Sequence, residues 1–136
     1  MAALLLDTCA VLWVANKESI SPESRSAIDG AAAAGAIFVS PISAWELGNL
    51  VRKGRIALAM SPDAWFEAML ALPGMKLAPM PPRTLIASSF LPADPPSDPA
   101  DRIIAATARA ENLIVVTRDR ELLSYGSEGH MRILAC

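Results

Sequence analysis

Five of the chain's 14 acidic residues, Asp7, Glu46, Asp98, Asp101 and Asp119, stand beside the ends of short apolar runs. Asp7 directly follows Leu4-Leu5-Leu6, and Asp119 follows Leu113–Val116 after Thr117 and Arg118. Asp98 and Asp101 open the helical pattern that feeds the latter run, and Glu46 lies in the second turn of the one after Ala36–Val39. Carboxylates gathered together repel and raise one another's pKa. A hard divalent cation relieves that repulsion, and Mg2+ or Mn2+ takes oxygen ligands of this kind, usually a few carboxylates with several waters and substrate phosphates. Such an ion lowers the pKa of a water, orients it, and stabilises charge building on a phosphate. With one histidine and no cysteine pair at ligand spacing, the acids point to phosphodiester hydrolysis by a metal-activated water. His130 lies in a Gly/Ser-rich turn, reads as a solvated loop residue, and has no companions for a Ser-His-Asp arrangement.

Each acid also has an ordinary structural role. Asp98 before Pro99 is a good helix N-cap, a role as compatible with the sequence as metal binding. Asp101, two residues on from Pro99, suits the positive end of a helix dipole. Glu46 makes a capping box with Ser43, but Ser40-Pro41 is the better helix start and leaves Glu46 inside the helix beside Trp45 and Leu47. Asp119 also suits a turn before Glu121-Leu122-Leu123. Asp7 is the hardest to explain structurally, because an acid closing an apolar strand is costly unless it is paired or metal-bound.

Two hydroxyls accompany the acids, Thr8 and Thr117, each placed to bond a carboxylate or a water, or to cap a helix or loop. Arg102 and Arg118 adjoin Asp101 and Asp119, where they either meet RNA phosphates or neutralise the acids. The basic run Arg52, Lys53, Arg55 reads as a solvated helix end, and Trp45 as core.

The elements that must position these groups are legible. Buried parallel strands are expected at Ala3–Leu6, Ala36–Val39, Lys76–Pro79 and Leu113–Val116, with a fifth at Met131–Leu134, because continuous apolar runs suit a sheet covered on both faces. Helices are expected at Pro22–Ala34, Pro41–Lys53, Pro62–Leu72, Pro82–Phe90 and Pro99–Glu111, four of them with Ser or Asp before proline at the first position. Strands alternating with helices give an α/β fold, a three-layer α/β/α sandwich on a mostly parallel sheet of four to five strands. In such sheets ligands bind beyond the carboxyl ends of the strands, where the acids fall. The chain has 136 residues, with no linker or repeat, and reads as one domain over residues 1–136.

The chain is 53% hydrophobic, which excludes a disordered protein, yet no apolar run approaches the ~18 residues of a membrane span. No basic segment precedes the short first run, so no signal peptide is expected and a cytoplasmic location is. Cys9 and Cys136 read as free thiols. A net charge of −2 argues against a duplex-DNA binder that works by broad phosphate neutralisation. A nucleic acid would have to be held through a local site.

Four blocks together resemble a PIN domain. They are Leu4-Leu5-Leu6-Asp7-Thr8-Cys9-Ala10-Val11-Leu12-Trp13, Val39-Ser40-Pro41-Ile42-Ser43-Ala44-Trp45-Glu46-Leu47, Asp98-Pro99-Ala100-Asp101-Arg102-Ile103-Ile104-Ala105-Ala106-Thr107-Ala108, and Val116-Thr117-Arg118-Asp119. More narrowly the chain resembles the VapC toxins of bacterial type II toxin–antitoxin pairs. The resemblance implies that Asp7, Glu46 and Asp101 hold the metal, that Asp119 is the fourth acid, and that Thr8 and Thr117 are the accompanying hydroxyls. Asp98 matches an acid of the subgroup whose role is not separable from that of Asp101. Cys9 stands where relatives often carry His or Asn. The resemblance also implies an endoribonuclease cutting a tRNA, rRNA or mRNA, a homodimer, a cognate VapB-type antitoxin that blocks the site, and a higher toxin–antitoxin assembly. Two alternatives stay open: a catalytically inactive PIN-like interaction module, and an aspartate-based phosphatase. Asp7-Thr8-Cys9 lacks the second aspartate that the phosphatase would need.

Overall fold

The computed structural model describes residues 3–136. Five strands, β1 (Leu4–Leu6), β2 (Ile37–Val39), β3 (Met75–Leu77), β4 (Ile114–Thr117) and β5 (Arg132–Ala135), form one sheet in the order β3-β2-β1-β4-β5. Every pairing is parallel, with Leu4 opposite both Ile37 and Ile114 and Leu6 opposite both Val39 and Val116. Seven helices accompany it: α1 (Thr8–Ala15), α2 (Pro22–Ala33), α3 (Pro41–Arg52), α4 (Pro62–Leu70), α5 (Pro82–Ser88), α6 (Pro99–Glu111) and α7 (Arg120–Ser127).

The three leucines of β1 explain the three layers. Successive strand residues face opposite sides of the sheet. Leu4 and Leu6 pack with Val11 of α1, Ile28 of α2 and Met69 of α4, while Leu5 packs with Ile104 of α6 and Leu122 and Tyr125 of α7. A central strand buried on both faces has no solvent-facing residue, which is why β1 shows no polar alternation. Tyr125 is fully buried, and its hydroxyl donates to the Pro92 carbonyl at 2.8 Å, tying the proline-rich connector to the second core.

The expected helix starts are present. Ser21, Ser40, Ser61 and Asp98 each accept a hydrogen bond from a first-turn backbone N–H, with proline at the next position. The helix over Pro99–Glu111 has the bounds expected from sequence, and Asn112 closes it in the left-handed conformation. Other ends move by a residue or two. The third strand is Met75–Leu77 rather than Lys76–Pro79: it pairs along β2, and the last ladder bond from that segment comes from Ala78, since Pro79 has no N–H to donate. Two helices were not expected. α1 is almost wholly apolar, so it shows no polar face to reveal a helical period, and α7 is short, its buried residues reduced to Leu122 and Tyr125.

The strand order has a functional consequence. From β1 the chain moves outward through β2 to β3, then crosses to the other side of β1 to lay down β4 and β5. The direction reverses between β1 and β4, and the crevice at such a reversal is where open α/β sheets bind ligands. Asp7 and Asp119 stand just past the carboxyl ends of those two strands. No helix among the described residues is long and apolar enough to cross a membrane.

Candidate active site

Asp7 is the N-cap of α1, and its Oδ1 accepts from the Ala10 N–H at 2.8 Å. Its Oδ2 accepts from the Thr117 hydroxyl at 2.5 Å, and Thr117 Oγ1 in turn accepts from the Asp119 N–H at 2.9 Å. Thr117 is fully buried at the end of β4 and so locks the acids of two neighbouring strand ends together. Asp119 caps α7 by accepting from the Leu122 N–H. The two helices missing from the sequence reading are therefore the ones whose N-termini these acids hold.

Across the site, the Thr8 hydroxyl donates to Glu46 of α3, and Ser43, one turn earlier on that helix, lies 2.9 Å from Thr8 Oγ1. Asp98 accepts from the Asp101 N–H at 3.0 Å, so it does serve as the cap of α6. Asp101, in the first turn of α6, is half-buried, and among the described residues its carboxyl accepts no hydrogen bond from a neighbouring donor.

The acids lie within electrostatic reach of one another. Burial first, and then the negative charges of Asp119, Asp98, Glu46 and Asp7, push the Asp101 carboxyl up to about 8. Asp7 is raised by burial, against the lowering effect of its Thr117 and Ala10 bonds and with a further rise from Asp119. Glu46 is raised by burial and by Asp98 and Asp7, with Thr8 opposing. Cys9, exposed on α1, is pushed up to about 11 by burial of its sulfur and by Asp7, Glu46, Asp101 and Asp119. All the acids singled out from sequence thus act on one another across one crevice.

This donor set suits a hard divalent cation. It is all oxygen, Asp7 and Glu46 are oriented by hydroxyl donors, and Asp101 lacks a donor altogether. Among the described residues no three acidic, histidine or cysteine side chains stand close enough to enclose an ion as they lie. To share one cation the carboxylates would have to move inward, drawn by the cation's own charge.

The two arginines are placed differently from the sequence reading. Arg102 donates to the carbonyls of Ser88, Pro96 and Ser89, holding the end of α5 and the proline-rich loop against α6. Arg118 donates to the carbonyls of Cys136 and Ser19, and its guanidinium lies 4.0 Å from the centre of the Trp13 ring. Neither forms an ion pair with an acid; the one salt bridge among the described residues is His130 to Glu128 at 3.8 Å. The planar fork of arginine satisfies several carbonyls at once, and that geometry takes both groups. His130 is not a solvated loop residue either: its ring stacks on Tyr125, 4.7 Å between centroids. Trp45, expected in the core, is 60% exposed, because helical spacing puts Ser43 and Leu47 inward and Trp45 outward. Lys53 and Arg55, expected at a remote helix end, line a cavity with Glu46 and Asp98. The i, i+4, i+8 spacing of Trp45, Asn49 and Lys53 was the available signal.

Comparison with known proteins agrees with the sequence and the fold. Residues 4–127 match the PIN domain family. The chain is 32% identical to Ribonuclease VapC22 of Mycobacterium tuberculosis over 126 residues, 92% of this chain and 93% of that protein. Its fold matches VapBC2 from Rickettsia felis bound to a DNA fragment from their promoter, with a TM-score of 0.68 at 17% identity, covering 98% of each chain. It also matches DNA-bound VapBC from Salmonella typhimurium, with a TM-score of 0.67 at 20% identity, covering 99% of this chain and 98% of that one. With its strand-end acids, its five-stranded parallel sheet and this likeness along nearly its whole length, the chain belongs to the PIN-domain family and, within it, to the VapC type.

Proposed function

We propose that the protein is a divalent-metal-dependent endoribonuclease, the toxin of a toxin–antitoxin pair, with Asp7, Glu46, Asp101 and Asp119 as its catalytic acids. One observation carries the reading: Asp101 is a half-buried carboxyl with no hydrogen-bond donor among the described residues, raised to about 8 by burial and then by four neighbouring acids. A fold gains nothing from such a group unless something positively charged belongs beside it. Asp7, Glu46 and Asp101 are the residues to hold Mg2+ or Mn2+, with Asp98 free to add an oxygen while it caps α6. When bound, the cation supplies Lewis-acid charge that favours deprotonation of a water and offsets charge gathering on the phosphate.

The protein's own residues do the positioning. Thr117 fixes Asp7 and the backbone of Asp119 with one hydroxyl, and Thr8 fixes Glu46, so each carboxylate keeps its orientation when the acids are drawn together. Asp119, whose carboxylate caps α7, would accept the proton from an attacking water. With both oxygens of Asp7 already accepting hydrogen bonds, a ligand's role suits it better than that of the nucleophile in a phosphatase.

The substrate is a cellular RNA, a tRNA, rRNA or mRNA, and the regulator a VapB-type antitoxin. Support for the partner comes from the VapBC complexes whose toxin fold this chain shares. A homodimer, within a larger toxin–antitoxin assembly, fits the apolar surface left by Ile86 and Phe90, 62% and 80% exposed. The test is cleavage of total RNA by purified protein. Cutting with Mg2+ or Mn2+ that stops in EDTA and in Asp7→Asn is expected, and full activity in EDTA would refute the metal mechanism.

A further inference from the structure

Beside the acids, on the outer face of α3, lies a cavity of about 210 Å³ lined by Trp45, Glu46, Asn49, Leu50, Lys53, Arg55 and Asp98. Three features distinguish it from ordinary helix surface. Trp45, a large apolar side chain, is 60% exposed. Lys53 and Arg55 are exposed cations that form no salt bridge among the described residues, even though Glu46 and Asp98 share their cavity. The turn that ends α3 is built to bring Arg55 back. Gly54 takes φ +70°, its N–H donates to the Val51 carbonyl, and the Arg55 N–H donates to the Leu50 carbonyl at 2.9 Å. That left-handed turn reverses the chain over the last turn of the helix instead of letting it run on.

We infer that this cavity is a nucleotide subsite: an unpaired base stacks on Trp45, and Lys53 and Arg55 hold the adjoining phosphate. An open indole face with cations a turn or two further along is the chemistry that holds single strands, because stacking takes any base while cations follow the backbone. A base still in a helix has no free face to offer, so the subsite selects a single-stranded stretch, loop or bulge. Glu46 belongs both to the acid cluster and to the cavity wall, so a strand seated there runs directly to the acids. The two cations also answer how a chain of net charge −2 gathers a polyanion, since they place positive charge locally, next to carboxylates that repel phosphate.

The inference rests on the ribonuclease reading, and kinetics separate the two. Initial rates are measured on a short single-stranded RNA, on the same strand annealed to its complement, and on a series with one abasic position moved along the strand. Trp45→Ala should raise KM about ten-fold, the usual scale for one lost stacking contact, while kcat stays within a factor of about two. Trp45→Phe should restore most of the affinity. Lys53→Ala and Arg55→Ala should each flatten the salt dependence of binding by about 0.7 in the log–log slope. One abasic position at a fixed distance from the cut should raise KM in the wild type and have no further effect in Trp45→Ala, and the duplex should resist cleavage. An unchanged KM in Trp45→Ala, or the same abasic profile with and without the indole, would overturn the subsite and leave the face to a protein partner. If the wild type cuts nothing, the ribonuclease reading fails. In that case quenching of tryptophan fluorescence by the uncut strand, present in the wild type and absent in Trp45→Ala, still decides the subsite.

Discussion

A carboxyl that keeps its proton up to about pH 8 in the metal-free fold ties stability to pH in an unusual direction. The unfolded chain releases that proton near the ordinary 3.8, so the folded state binds more protons between there and about 8. Stability from Asp101 is therefore complete below the lower value and is lost as pH rises towards the upper one. Asp7 and Glu46, both raised, act in the same sense. Melting temperature in EDTA should fall as pH is raised across this interval. Asp101→Asn should remove most of that slope, and Mg2+ or Mn2+ should reverse it by competing with protons; a flat profile in EDTA would count against a shared carboxylate space. Among the positioning residues, Thr117→Val keeps the shape and loses the hydroxyl that orients Asp7 and Asp119. A loss of about 10–100-fold in cleavage is expected with the fold retained, which rate measurement and circular dichroism together would check. Arg118 has a structural role on this account: Arg118→Ala should lower stability by about 1 kcal/mol, through lost carbonyl bonds and its contact with Trp13, and leave the salt dependence of RNA binding alone. A flattened salt dependence in that variant would return Arg118 to the substrate.

At the level of elements, the legible parts were those with local chemistry of their own. Ser21-Pro22, Ser40-Pro41, Ser61-Pro62 and Asp98-Pro99 each carry a complete start signal, and each opens a helix. α1 and α7 were illegible because their caps, Asp7 and Asp119, read first as site acids, and because Val11 and its neighbours give no polar face to reveal a period. The acid cluster was visible because strand ends locate it. Trp45 and Lys53 were overlooked although helical spacing aligns them along α3, and Arg55 was not legible because only the turn at Gly54 brings it to the cavity beside Glu46. Arg102 and Arg118 were misplaced because sequence adjacency to an acid says nothing of where a long side chain reaches. Gly74 offers a test of how α2 sits on the sheet. Its φ is +82°, and a Cβ there would lie 2.4 Å from the Ala32 carbonyl oxygen. Gly74→Ala should cost about 1–3 kcal/mol in denaturant unfolding, and a neutral result would mean that α2 and the β3 entry pack differently.

For the whole molecule, the candidate site lies at one end of the sheet. The reversal between β1 and β4 creates the crevice, the fully buried leucines of β1 fix the strands around it, and Asp7 and Asp119 stand at its edge, where the proposed cation would offset the repulsion among the acids. The central claim is that these carboxylates direct water, by way of a divalent cation, at an RNA phosphodiester. The most direct measurement is the chemistry of the new ends in RNA cut by the wild type and by Asp101→Asn in Mg2+ or Mn2+. Attack by water leaves a simple phosphate monoester on one fragment and a free hydroxyl on the other, and the variant should produce almost none of either. A 2′,3′-cyclic phosphate, which forms when the RNA's own 2′-hydroxyl attacks, or equal cutting by Asp101→Asn, would contradict the account.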